Sequence, residues 1–326
     1  MQARRCGLAL PLLVLGGCSG IQSALDPAGD EAATVARLFW VMALAGALIW
    51  SAVIGTLIYA TRERRRVQSD HAAGLLILWG GAIVPALLLG FLLGYALWLM
   101  PNIRPWSAPD EPAGLRIEVV GEQFWWRVRY HPAGGPPIDA ANEIRLPVGE
   151  RVEFTLTASD VIHSFWIPVL GGKMDMIPGR TNRLTLRAAK PGIYRGPCTE
   201  FCGTSHALMA FSVVVMEPDA FRAWLAWQAE PSQSAGAPGS ELFLANGCPA
   251  CHTIRGTEAA GRVGPDLSHV GSRETLAAGI LPVNADAIAR FIERPDIIKP
   301  DSHMPAFRML PEADIAAIAA YLEGLK

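Results

Sequence analysis

Apolar and polar positions divide the chain into three regimes. The first holds two long runs, residues 38–60 and 74–100, neither containing a charged side chain. A helix needs about 20 apolar residues to cross the hydrocarbon core of a bilayer, so each run predicts a transmembrane helix. Pro85 marks a place where the second can kink. From residue 114 to 216 the apolar runs shorten and alternate, at 115–120, 124–130, 151–157, 182–188 and 211–216. In Val152, Phe154 and Leu156, and again in Leu184 and Leu186, a period of two puts apolar side chains on one face. Breaks at Pro136-Pro137, Gly171-Gly172, Pro178-Gly179 and Pro191-Gly192 predict a sandwich or barrel of antiparallel strands with functional residues in its loops. Residues 221–227 read as a short helix closing that unit. In the third regime helices are predicted to begin near Ser240, Asn284 and Pro311, the last running with helical periodicity to Leu322.

The connecting stretches set the topology. Arg4 and Arg5, an apolar run at 8–15 and then Leu15-Gly16-Gly17-Cys18 read as a signal peptide over residues 1–18. Its last four residues resemble a lipoprotein box, which would make Cys18 the lipidated first residue of the mature chain; plain cleavage is the alternative. Thr61-Arg62-Glu63-Arg64-Arg65-Arg66 separates the two apolar runs, and the positive-inside rule puts that loop in the cytoplasm. The N-terminus and everything after residue 100 then face outward. Residues 19–113 form a membrane anchor, 114–230 a β domain, 231–239 a Pro/Gly/Ser-rich flexible linker and 240–326 a small helical domain. A 51% hydrophobic content fits the membrane segments. The 28 basic and 30 acidic residues say little about partners, and no nucleic acid is expected among them.

Six cysteines stand at 6, 18, 198, 202, 248 and 251, and none needs a structural disulfide. The densest chemistry lies in one loop: Cys198, Cys202, His206 and Met209, read with His163 upstream. Thiolate, thioether and imidazole favour copper over hard cations. A disulfide, a Cys2His2 zinc site and a mononuclear copper centre are the alternatives. Two thiolates from one loop can bridge a copper pair, with His163 and His206 capping it and Met209 and the Glu200 carbonyl as weak axial donors. Such a pair suits electron transfer and leaves no open position for substrate. His71 and His131 lack this company and read as solvated.

Asp160-Val161-Ile162-His163-Ser164-Phe165, Ile177-Pro178-Gly179-Arg180 and Cys198-Thr199-Glu200-Phe201-Cys202-Gly203 with His206 and Met209 resemble subunit II of haem-copper cytochrome c oxidase. The resemblance covers roughly residues 114–230. It implies a cupredoxin-like Greek-key domain and a dinuclear CuA centre held by His163, Cys198, Glu200, Cys202, His206 and Met209. It also implies a magnesium ion at the boundary with subunit I, bound by the Glu200 side chain. Gly121-Glu122-Gln123-Phe124-Trp125-Trp126 resembles the family's aromatic stretch, where a tryptophan receives electrons from cytochrome c. Here the first aromatic is Phe124, so Phe124, Trp125 and Trp126 are all candidates for electron input. Leu78 stands where many relatives carry a proton-path glutamate.

Cys248-Pro249-Ala250-Cys251-His252 is a haem-attachment motif, with two thioether anchors and His252 as axial ligand. Gly264-Pro265-Asp266-Leu267 and Met304-Pro305 follow in the order of class I cytochrome c, which the segment resembles, and Met304 is the expected sixth ligand. Met309, His269 and His303 are its rivals. A haem c domain fused behind CuA resembles the arrangement of caa3-type oxidases. That implies an electron-input subunit in a bacterial inner membrane, its two cofactor domains on the periplasmic face. The expected partners are subunit I with haem and CuB, subunit III, and a cytochrome c or bc1-type donor. Oxygen reduction and proton pumping would belong to subunit I. The same cofactors would serve a nitric oxide reductase or another reductase, or a lipid-anchored copper or redox protein without a catalytic partner.

Overall fold

The computed structural model describes residues 17–62, 69–103, 114–232 and 236–326. The signal peptide up to Gly16 and the arginines at 64–66 lie outside these. Helix α1, Asp30–Arg62, opens with Asp30 and Glu31 and closes on Arg62, charges that complement the helix dipole. It starts earlier than the apolar run because its first turn is seated on the β domain. Ala32 donates to the Leu170 carbonyl (3.0 Å), and Ala28 and Gly29 both donate to that of Val169. Ala28, placed with the anchor by sequence, is part of the β domain's core.

The second apolar run forms α2, Asp70–Leu78, a π turn at Trp79–Ile83, and α3, Val84–Ile103. The Ser69 hydroxyl caps α2 by accepting from the Ala72 N–H (3.3 Å). The irregularity expected at Pro85 takes the form of this π turn just before it, where the Val84 N–H reaches back five residues to Trp79. Proline brings no N–H to the helical ladder, and widening the preceding turn accommodates the gap. Both helices are long and apolar enough to cross a membrane, and no residue of their apolar windows is buried in the isolated chain.

The β domain has a five-stranded sheet in the order β3-β2-β1-β5-β8 and a three-stranded sheet β4-β10-β9. Its strands are β1 Leu115–Glu122, β2 Trp125–His131, β3 Ile138–Ala141, β4 Glu143–Pro147, β5 Arg151–Ala158, β6 His163–Phe165, β7 Met174–Met176, β8 Asn182–Arg187, β9 Gly192–Pro197 and β10 Ala210–Met216. Two features depart from the expected antiparallel sandwich. β1 runs parallel to β5, and β4 parallel to β10. The short strands β3, β4, β6, β7 and β9 carry no clean alternation because several are buried on both faces. The chain passes from β3 to β4, and so from one sheet to the other, at Asn142. Its backbone is left-handed (φ 59°), and its side-chain oxygen accepts from the Trp126 N–H (2.9 Å).

Between the sheets lies an aromatic cluster: Phe165 stacks on Phe211 at 4.9 Å, and Trp126 meets Phe211 edge-on at 5.1 Å. Such pairs add about 0.5–1.5 kcal/mol each beyond the area they bury. Helix α4, Pro218–Ala229, closes the domain with Trp224 against Tyr130 (5.3 Å). A second, separate core forms around Phe243, Ile288, Ile318 and Leu322. It is enclosed by α5 Ser240–Ala245, α6 Ala285–Glu293, α7 Pro295–Ile298 and α8 Glu312–Glu323. α6 begins where Asn284 was expected to start a helix, its side-chain oxygen accepting from the Ala287 N–H (2.8 Å).

Candidate metal centre

Strand β6 opens with His163, so this ligand sits on a short strand paired with β7 and not in a free loop. Its ring is fully buried, and Nε2 lies 2.9 Å from Asp160 Oδ1. Asp160 also accepts from the Val161 and Gln123 backbone N–H groups, both at 2.6 Å. A carboxylate with these donors is held ionised, so the proton of the imidazole belongs on Nε2 and the Nδ1 lone pair faces the cysteines. Burial alone would raise the Asp160 carboxyl and lower the His163 ring. The bond between them and the Cys198 sulfur outweigh that cost, so Asp160 titrates low and His163 high.

The remaining donors come from one loop between β9 and β10. Cys198 Sγ lies 3.9 Å from His163 Nδ1, 3.3 Å from the Glu200 carbonyl oxygen and 4.0 Å from Cys202 Sγ. Cys202 Sγ in turn lies 3.6 Å from His206 Nδ1 and 3.9 Å from Met209 Sδ. The two cysteines are free and buried, with a sulfur separation about twice that of a disulfide. The bond to Cys202, with that from His163, holds the Cys198 thiol down at about 4, while the same contact pushes Cys202 up. The shift favours the Cys198 sulfur as the anionic partner of the pair, and the donor set of soft sulfur and imidazole fits copper. Among the described residues, His163, Cys198 and Cys202 form the group with metal-ligand spacing.

Several residues that support this centre carry no signal from residue type alone. Gln123 Nε2 donates to the Cys202 carbonyl (2.6 Å). Gly121 lies so close that a Cβ there would stand 2.8 Å from the His163 ring. Asp160 could have been found from its place three residues before His163.

The haem-motif residues follow the same logic. Cys248 and Cys251 flank a 3-10 turn and are free. His252 Nδ1 donates to the Pro265 carbonyl (2.8 Å), which fixes the tautomer and leaves Nε2 as the ligand atom. Burial keeps that ring below its ordinary pKa and hence neutral. Gly264 packs on it so tightly that a Cβ would lie 2.6 Å from Cε1. Met304 is half-buried against the second core. Of its rivals, Met309 and His303 are exposed, and His269 is tied to the Glu230 carbonyl (3.0 Å).

Of the three candidate aromatics, Phe124 is buried against Gly203, and Trp126 is fully buried with its ring 6.1 Å from that of His163. Trp125 lines a crevice together with Thr253, Gly264 and Asp266 of the helical domain. Arg127 lies over its ring at 4.7 Å and donates to the Arg262 carbonyl (2.9 Å). His131 departs from expectation, being half-buried with Nε2 3.3 Å from Glu118. His71 and Cys18 are exposed.

A buried pair of free cysteines flanked by imidazoles, on a β sandwich held by a two-helix membrane anchor, defines a cupredoxin-like metal domain of the membrane-bound electron-transfer class. Residues 136–216 match the family described as cytochrome c oxidase subunit II, periplasmic domain, and residues 236–326 match cytochrome c. A cytochrome c oxidase subunit 2 from Alkalihalophilus pseudofirmus is 34% identical over 98% of this chain and 96% of its own length. Its counterpart in Bacillus subtilis is 31% identical over the same shares. The crystal structure of the periplasmic domain of subunit II from Bradyrhizobium japonicum is 34% identical, covering 36% of this chain and 95% of that domain, with a TM-score of 0.34. The chain belongs to the cytochrome c oxidase subunit II family, in the form that carries a C-terminal cytochrome c domain as in caa3-type oxidases. It is thus an electron-transfer subunit of a haem-copper oxidase, whose two domains imply copper and haem.

Proposed function

We propose that this chain feeds electrons from its own haem c domain through its copper loop to subunit I of an oxygen-reducing oxidase. Cys198, Cys202, His163, His206, Met209 and the Glu200 carbonyl would hold the copper pair. Cys248 and Cys251 would hold the haem covalently, with His252 and Met304 as its axial ligands. Bound there, each group takes up and releases one electron at a time. The protein's part is to keep the donors fixed and dry: Asp160 retains the Nε2 proton of His163, Pro265 retains the Nδ1 proton of His252, and both cysteines of the loop are buried. A site that does not rearrange costs little reorganisation when an electron arrives.

The observation that carries this reading is the position of Trp125, which stands in the crevice beside Gly264 while the adjoining Trp126 packs next to His163. Trp125 is the input residue of this reading, while Phe124 is buried against Gly203. The donor, a cytochrome c or a bc1-type complex, then delivers to the haem domain. Both cofactor domains lie on the periplasmic face, with oxygen reduction and proton pumping in subunit I and subunit III as a further neighbour. Lipidation of Cys18 would add a second anchor. A magnesium ion at the Glu200 side chain would take its remaining oxygen ligands from subunit I.

His252→Ala, or removal of residues 240–326, is expected to abolish turnover with the physiological donor while the copper site remains reducible by small mediators. Unchanged turnover in the truncated complex would overturn the reading.

A further inference from the structure

Lys299 is 3% exposed, and its Nζ has one hydrogen-bond acceptor, the carbonyl of Ala277 in its own domain (2.8 Å). An amino group taken out of water with so little compensation is costly. Lys299 directly precedes a segment at the boundary between the two domains. The next two residues cross that boundary with hydrogen bonds. The Pro300 carbonyl accepts from the Ser205 hydroxyl (2.6 Å), and the Asp301 carboxylate from the Thr204 hydroxyl (2.5 Å). A second haem-domain segment grips the same loop's end. The Ala278 carbonyl accepts from the Ala210 N–H (2.9 Å), Thr275 pairs with Ser212 (3.1 Å), and the Gly279 carbonyl accepts from Arg195 (3.0 Å). Among the described residues four non-glycines have a left-handed backbone, and three of them, Ala277, Ala278 and Asp301, lie in these two segments. Such conformations persist where surrounding contacts over-determine them.

We propose that Lys299, Pro300 and Asp301, with the 275–279 segment, form a clasp that docks the haem domain in one fixed position on the copper loop at Thr204 and Ser205. Lys299, donating to the Ala277 carbonyl, ties the two segments of the clasp to each other. The haem domain is then held in place by its own surface and not only tethered by residues 231–239. The proposal rests on the reading of Cys198 to Met209 as the copper loop, though the clasp itself needs no metal.

The test uses the full chain in detergent with a protease site placed at residues 233–235. After cleavage, size-exclusion chromatography follows whether the haem domain, tracked by its haem absorbance, stays with the copper domain. The uncut-equivalent behaviour is expected for the native sequence. Thr204→Ala with Ser205→Ala, and separately Thr275→Val, are expected to weaken retention by about tenfold or more. The haem spectrum and the melting of the released domain should stay unchanged, which separates lost docking from lost folding. Separation of the native pieces, or variants retained as firmly as the native sequence, would overturn the clasp. Copper is measured on the same samples: full retention without copper binding would sink the copper reading and leave the clasp standing.

Discussion

His163 can present Nδ1 to a metal only while Nε2 keeps its proton, and Asp160, 2.9 Å away, is the acceptor that holds it there. The same carboxylate ties down the Val161 and Gln123 backbones, and Gln123 reaches on to the Cys202 carbonyl. One acidic residue thus orders both halves of the donor set. Asp160→Ala is expected to lower copper affinity by about 10- to 100-fold, the usual effect of losing the partner of a ligating histidine. Competition against a chelator of known affinity measures this, and an unchanged constant would remove Asp160 from the site.

At the scale of elements, His252 is held between the Pro265 carbonyl and the backbone of Gly264. Any Cβ at 264 would meet the ring at 2.6 Å, closer than a side chain can approach. The ring would have to move, and the bond that fixes its tautomer would break. Gly264→Ala is therefore expected to destabilise the haem domain by about 1–3 kcal/mol, the range for overpacking a tight site. The altered axial ligation should show in the haem absorbance at the same time. Denaturant unfolding followed at the haem band gives the number, and a shift within error of zero would contradict the packing argument. The membrane helices illustrate a different constraint: the π turn at Trp79–Ile83 follows from the missing N–H of Pro85 and needs no tertiary partner.

For the whole molecule, the seam between the two cofactor domains contains the one buried amino group whose titration has a clear sign. Burial pulls Lys299 from its ordinary 10.5 down to about 7. Between these values the unfolded chain binds a proton that the folded chain has released, so stability should rise with pH across that window. Below about 7 the penalty for burying the ammonium is fully present. The slope of melting temperature against pH between these limits is expected to flatten in Lys299→Met. Parallel slopes for the two proteins would show that Lys299 is not the group responsible. Truncation of the haem domain belongs to this scale too, since it removes the seam together with the haem site.

The sequence by itself determined whatever depends on local pattern or on ligand type. The two membrane runs, the alternation of β1, β5 and β8, the helix starts at Ser240 and Asn284, the two-cysteine loop and the Cys248–His252 motif were all legible, because each is written in contiguous residues. Other features were decided only by tertiary structure. The parallel pairing of β1 with β5 and of β4 with β10 depends on which edges meet, which alternation does not encode. β3 and β4 are buried on both faces and lose their period. Asp160 and Gln123 acquire their roles from chain segments brought together by the sheets. That Trp125 lines a crevice with the helical domain could not be read from three adjacent aromatics, because it depends on how the two domains meet. Lys299 would pass for a solvated surface lysine by sequence, because burial is a property of the assembled chain.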